Sequence, residues 1–222
     1  MNEYLPVIQK AALFAGVESR HLETILPCLA ARTARFSKGA VLLRPGDQVE
    51  WVGLLLEGSA LIVQEDFWGN RNVVAHLAPG QLFAEVFACS GGATATVSVV
   101  AEASCAVMFL DLKRIMTNCP ATCSHHTRVI LNLLSDLAQK NLHLQEKLTH
   151  LGQRTTREKL LSYLSAESQR QRRAEFDIPF SRQQLADYLS VERSGLSAAL
   201  SKLQSDGLLS YHKNHFTLLF TP

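Results

Sequence analysis

Three groups of residues in this chain carry side chains whose type and spacing could do chemistry. The first lies in "ERSGLSAALSKLQSDG" (192–207), where Leu196, Ala199, Leu200 and Leu203 recur at helical spacing. Arg193, Ser194, Ser197 and Ala198 point away from that apolar face, with Lys202 further along. Arginine can make two hydrogen bonds to a guanine edge, and serine can donate or accept, so these positions suit the reading of DNA bases. Ser181, Arg182 and Gln183 open the preceding helix, where side chains and free N–H groups suit phosphate. The second group is Cys119, Cys123 and His126, at i, i+4 and i+7. On one helix face they could hold a metal, or the two thiols could form a redox pair. Burial of Cys123 and His126 in a core is the other reading, and it is preferred, so no metal is assigned. The third group is Glu85, a carboxylate set between the apolar side chains Phe83 and Val86. No Walker loop, metalloprotease helix or nucleophile motif occurs, so no catalytic residue is assigned and an enzyme is not expected.

The first group needs two helices held at a tight angle. Ser181 followed by Gln184 has capping-box spacing, which predicts a helix from Arg182 with Leu185, Ala186 and Leu189 inward. A break at Leu189–Ser190–Val191 separates it from the second helix, which Gly207 is placed to end in the left-handed conformation. "LLSYH-KN-HFTLL" then predicts two short strands around Lys213-Asn214. Helix, turn, helix and hairpin make a winged helix-turn-helix, whose second helix enters the major groove. Another helix is expected over residues 154–168, followed by a loop with Arg170, Arg172 and Arg173 that reads as solvated surface.

From Asn118-Cys119-Pro120 to about Gly152 the chain predicts one long helix, with proline near its start. Ile130, Leu137, Leu144 and Leu151 lie seven apart, and Leu134, Asn141 and Leu148 form a second series. Together they make an a/d seam, the pattern of two helices packing on each other, in which a lone Asn fixes register at some cost in stability. A homodimer through this seam is expected. Leu131, Leu133 and Leu142 lie off the seam and are available to pack on the rest of the chain. Upstream, from Phe36 to Leu110, short apolar runs alternate with "RPGD", "EGS", "FWGN", "APG" and "SGG", predicting an all-β sandwich or barrel. The first 30 residues predict one or two short helices.

The composition is that of a globular chain, 47% hydrophobic and 19% charged. Residues 1–153 carry 12 Lys/Arg against 13 Asp/Glu; residues 154–222 carry 10 against 7. The smaller C-terminal part is therefore mildly basic, which suits a nucleic-acid partner. Five scattered cysteines argue against a secreted disulfide framework and for a reducing cytoplasm. No targeting signal or run of ~18 apolar residues appears, so no membrane partner is expected.

The order of these parts resembles the Crp/Fnr family of bacterial transcription regulators. The resemblance rests on "RPGD" (44–47), "EGSALI" (57–62), "APGQLFAEV" (78–86), "CP" (119–120) and "FSRQQLADYLSVERSGLSAALSKLQSDGLL" (180–209). It implies an α+β architecture: a β-roll sensor of the double-stranded β-helix (jelly-roll) type over 1–117, a dimerisation helix over 118–152, and a winged helix-turn-helix over 153–222. It also implies a homodimer on a near-palindromic double-stranded DNA site with half-sites ~34 Å apart, and RNA polymerase as a partner. The family's phosphate-contacting Ser/Thr and Gln resemble Ser181 and Gln183, and its reading-helix Arg resembles Arg193. Two departures stand out: the family's base-facing Glu is Ser194 here, and an Arg one turn later is Ala198. Operators of better-known members should therefore not transfer.

The same comparison leaves the effector and any cofactor unknown. Members that bind cyclic nucleotides use a Glu for the ribose and an Arg for the phosphate. Glu85 matches, but Ala95 replaces the Arg, and no Lys or Arg lies between Arg71 and Lys113. Hydroxyls that meet the base fall on Leu144 and Gln145, so a cyclic nucleotide is not expected. Iron–sulfur members carry an N-terminal cysteine cluster, whereas Cys28 is the only Cys before 89, so that cluster is not expected either. The haem-ligating His of other members falls on Val86. The resemblance implies an effector pocket around Phe83, Glu85, Val86, Ala95, Thr96, Val97 and Leu144, apolar but for Glu85 as its one charge. An uncharged or weakly polar effector, a redox signal, or no small effector remain. The rival function is a cyclic-nucleotide-binding module whose winged helix contacts protein.

Overall fold

The structure is a computed structural model that describes residues 2–69, 71–91, 93–116 and 124–219. Helices α1 (Leu5–Lys10) and α2 (Ser19–Cys28) precede strands β1 (Arg32–Phe36), β2 (Val41–Leu43), β3 (Trp51–Glu57), β4 (Ala60–Glu65), β5 (Arg71–Leu77) and β6 (Leu82–Phe83). A short α3 (Glu85–Cys89) separates these from β7 (Ser98–Ala101) and β8 (Cys105–Asp111), and α4 (Leu112–Met116) follows. The eight strands form two four-stranded sheets, ordered β1-β8-β3-β6 and β2-β7-β4-β5. Two such sheets make the jelly roll that the family resemblance implies, one form of the sandwich or barrel that the turn spacing predicts.

β3 and β8 are nearly continuous apolar runs because both faces of the strands are covered. One cluster joins Leu54, Leu56, Val107 and Met108 to Ile8, Phe14, Leu22 and Ile25 of the N-terminal segment. Gly53 is required where β3 passes the Phe83 ring: a Cβ there would lie 2.3 Å from a ring carbon. Two strands escape the apolar pattern. β1 exposes three of its five residues, and β6 is two residues long. β1 is nonetheless held by five residue pairs to β8, and its arginines suit a sheet edge.

The long helix α5 spans Ser124–Leu151. The expected start at Asn118, Cys119 and Pro120, with Cys123, lies outside the described residues. His126, Val129 and Leu133 are buried on one stripe, and the Asn132 amide donates to the carbonyls of Leu13 (2.8 Å) and Ala15 (2.9 Å). Of the three off-seam leucines only Leu133 packs inward; Leu131 and Leu142 are exposed. At about 100° per residue Leu131 lies about 200° round from Val129, and Leu142 about 180° from Leu133, so neither can share that stripe. On the seam, Leu134, Asn141, Leu144 and Leu148 are exposed in the single chain, while Ile130, Leu137 and Leu151 are half-buried.

The chain divides into two compact units, Met1–Glu65 with Val74–Lys140, and Asp66–Val73 with Asn141–Pro222. The division falls inside α5, whose residues up to Lys140 belong to the first unit and those from Asn141 to the second. In the second unit α6 (Thr156–Gln171) begins at a capping box formed by Thr155 and Glu158. It runs past the expected end, so Arg170 sits in the helix and pairs with Glu167 instead of belonging to a solvated loop. Then come β9 (Glu175–Asp177), α7 (Arg182–Leu189), α8 (Arg193–Ser205), β10 (Leu209–His212) and β11 (His215–Leu218). The hairpin is a three-stranded sheet, β10-β11-β9, with β9 absent from the sequence reading because it offers one inward residue, Phe176.

Candidate nucleic-acid interface and effector pocket

α7 starts as predicted. The Ser181 hydroxyl accepts from the Gln184 N–H, and Gln184 Oε1 accepts from the Ser181 N–H at 2.6 Å. Ser190 closes α7 in the left-handed region (φ 52), turning the chain into α8 within three residues. Leu185, Ala186 and Leu189 of α7 and Leu196, Leu200 and Leu203 of α8 are fully buried. That burial leaves Arg193, Ser194, Ser197, Ala198 and Lys202 exposed along the other side of α8. Arg193 and Ser194 are in its first turn, and the Ser197 hydroxyl donates to the Arg193 carbonyl at 3.0 Å. Lys202 is paired with Asp206 (3.2 Å), which also accepts from Arg157 (2.7 Å); those two cations hold the Asp206 carboxyl below its ordinary pKa.

Arg182 stands between α7 and the wing. Its guanidinium lies 4.9 Å from the Tyr211 ring centroid and donates to the Lys213 carbonyl at 3.3 Å. Burial, with Arg193 as a lesser contributor, lowers its pKa. Gln183 is exposed and donates to Asp187 at 2.7 Å. In the wing, His215 lies between Asp177 (Nδ1, 3.0 Å) and Glu175 (Nε2, 3.1 Å), and the hydrogen bond accepted by the Asp177 carboxylate leads the groups that raise its pKa. The arrangement presents hydrogen-bonding side chains from α8, and a cation beside the wing, on a frame of leucines.

The β-roll places the third group differently from expectation. "RPGD" forms a turn in which the Arg44 N–H donates to Asp47 Oδ2 (2.9 Å) and the Gly46 N–H to the Ala95 carbonyl (2.8 Å). Ala95 is thereby buried, with Thr96 exposed and Val97 half-buried. Phe83 is core: its ring packs on Gly53 and edge-on to Trp51 (5.9 Å). Val86 is exposed, as is Leu144 in the other unit. Glu85 is buried, 3% exposed, but it is not the only charge. Lys140 of α5 reaches it at 2.8 Å and also pairs with Asp136 (2.8 Å) and donates to the Leu82 carbonyl (2.7 Å). The sequence reading missed Lys140 and Asp136, although they continue the inward spacing 126, 129, 133, 136, 140. A depression of about 390 Å³ in the β-roll is lined by Arg32, Thr33, Ala34, Leu42, Trp51 and Phe109, none of them among the expected pocket residues.

His126 of the second group is buried, and Cys119 and Cys123 lie outside the described residues. Among the described residues no cluster of three or more His, Cys, Asp or Glu could hold a metal, and no helix is long and apolar enough to cross a membrane.

Two family models match. A cyclic nucleotide-binding domain covers residues 33–119, and a Crp-like helix-turn-helix domain covers 158–219. The transcriptional activator protein FnrL of Cereibacter sphaeroides is 25% identical over 91% of this chain and 82% of its own. Among solved structures, the c-di-GMP-responsive global regulator CLP of Xanthomonas campestris matches with a TM-score of 0.73 at 20% identity, over 92% of this chain and all of its own. FixK2 from Bradyrhizobium japonicum matches with a TM-score of 0.66 at 20% identity, over 85% of this chain and 92% of its own.

Proposed function

Because this chain belongs to the Crp/Fnr family of DNA-binding transcription regulators, we propose that it reads a near-palindromic DNA site as a homodimer. The observation that carries the reading is α8: its leucines are fully buried while Arg193, Ser194, Ser197 and Ala198 stand exposed at its N-terminal half. Arg193 and Ser197 contact base edges, with Ser194 beside them. Ser181, Arg182, Gln183 and Lys202 lie along phosphate. The homodimer is supported by the exposed seam of Leu134, Asn141, Leu144 and Leu148, an apolar face that a second helix would cover. In this reading residues 1–117 sense, 118–152 pair the chains, and 153–222 read DNA, with RNA polymerase as the downstream partner.

The effector is not a cyclic nucleotide in this reading. Ala95 offers no charge to a phosphate, and Lys140, the one cation on Glu85 among the described residues, is already shared between two carboxylates. An uncharged or weakly polar molecule, or a redox signal, fits these groups better. Selection of binding sites from random DNA, with and without cell extract, tests the function. The selected duplex should bind at least ~1,000-fold more tightly than random DNA, and binding should weaken steeply with salt. Equal affinity for selected and random DNA would reject sequence-specific reading and leave the winged helix a protein-contact surface.

A further inference from the structure

We propose that Lys147 is a positioning residue for the reading head, tying the end of α5 both to the first residues of β5 and to α7. The inference rests on the DNA-reading function proposed above and adds a residue to it. All the groups involved belong to the second compact unit.

A lysine is rarely buried unless paired, yet Lys147 is only 6% exposed and forms no ion pair among the described residues. Three other groups receive its ammonium. Nζ donates to the Val73 carbonyl and to Asn72 Oδ1 (3.3 Å), and lies 4.4 Å from the centroid of the Tyr188 ring. Burial pushes its pKa down to about 8. The two oxygens and the ring face all favour the charged form, so the cation is held by geometry rather than by a counter-charge.

Tyr188 is itself fixed. Its ring stacks on Phe180 (4.8 Å) and lies 5.5 Å from Tyr163. One turn past Lys147, His150 packs edge-on to Tyr163 (5.8 Å), and its Nδ1 is 2.8 Å from Ser162 Oγ. The last turns of α5 therefore grip α7 through Lys147 and α6 through His150. α8 packs against both of these helices, and Leu185 and Leu189 of α7, like Leu196 and Leu200 of α8, are fully buried. A leucine at 147 could fill the same volume in several poses. An ammonium that must satisfy a carbonyl, an amide and a ring face at once selects one.

The test uses the full chain and three duplexes: the site selected by the unaltered protein, that site with one base pair inserted between half-sites, and a single half-site. Lys147→Met should reduce the preference for native over altered spacing by about tenfold, with half-site affinity unchanged. Tyr188→Leu should do the same. Lys147→Arg keeps the cation and Tyr188→Phe keeps the ring, so both should retain the preference. Amide exchange read without DNA should quicken at residues 182–189 in Lys147→Met, not in Lys147→Arg, and stay unchanged in α2. An unchanged preference, or a uniform loss across all three duplexes, overturns the proposal. If the unaltered protein fails to prefer its selected duplex over random DNA, the DNA-reading function fails. The exchange measurement then still decides the joint, and unchanged exchange at 182–189 overturns it.

Discussion

Replacing Lys140 with Met should destabilise the β-roll by about 3 kcal/mol. Glu85 is 3% exposed, and the ammonium of Lys140 meets its Oε1 at 2.8 Å. At an effective dielectric of about 20 that separation corresponds to about 6 kcal/mol of gross attraction, much of it offset by the cost of drying both charges. Breaking a buried pair by removing one partner costs about 3–5 kcal/mol, because the remaining charge stays buried without compensation. Lys140 retains 29% exposure, which places the expected value at the lower end. Its removal also strips the Leu82 carbonyl of a donor and Asp136 of its ion pair with Lys140. Adding Glu85→Gln to Lys140→Met should restore about 2 kcal/mol, since no ionised side chain then remains at 85. Urea unfolding followed by Trp51 fluorescence reports this, because Trp51 lies against Phe83 in the same unit. The second tryptophan, Trp68, is removed as Trp68→Phe in every variant; at 82% exposure it makes little packing contribution. If the double variant is no more stable than Lys140→Met, the two residues are uncoupled and the reasoning is refuted. If it holds, any effector that engages Glu85 must first displace Lys140.

Arg193→Ala should cost about 1–3 kcal/mol of discrimination at one base pair per half-site; unchanged specificity in competition binding would remove Arg193 from the groove. Asn141→Leu should tighten the proposed dimer, read by sedimentation equilibrium of the full chain, because it replaces an exposed amide on an apolar seam; weaker association would count against that seam. In the wing, Asp177 and then Glu175 raise the pKa of His215. The His215 contribution is then complete below the ordinary imidazole value, about 6.5, and is lost as pH rises through the raised value. An NMR titration should place His215 above that value and Asp177→Asn should bring it down; a value at or below 6.5 contradicts the brace.

Much of the fold was legible along the chain because its determinants are local. The capping box at Ser181 and Gln184, the break at Ser190, the left-handed Gly207 and the turn at Lys213-Asn214 each depend on residues within one or two turns. The long helix and its heptad leucines follow from spacing alone, as do the strands on either side of "RPGD" and "EGS". β1 and β9 did not show, because a strand with one or two inward residues is specified by its neighbours, β8 and β11, rather than by its own pattern.

The site divides along the same line. The outward residues of α8 follow from which positions its leucines must bury, and helical periodicity states that without coordinates. Lys140 on Glu85, and Lys147 between Val73 and Tyr188, join residues 55, 74 and 41 positions apart. No local rule relates such positions. A buried charge is satisfied by whatever the fold brings within about 3 Å, and only the packed chain specifies which groups those are.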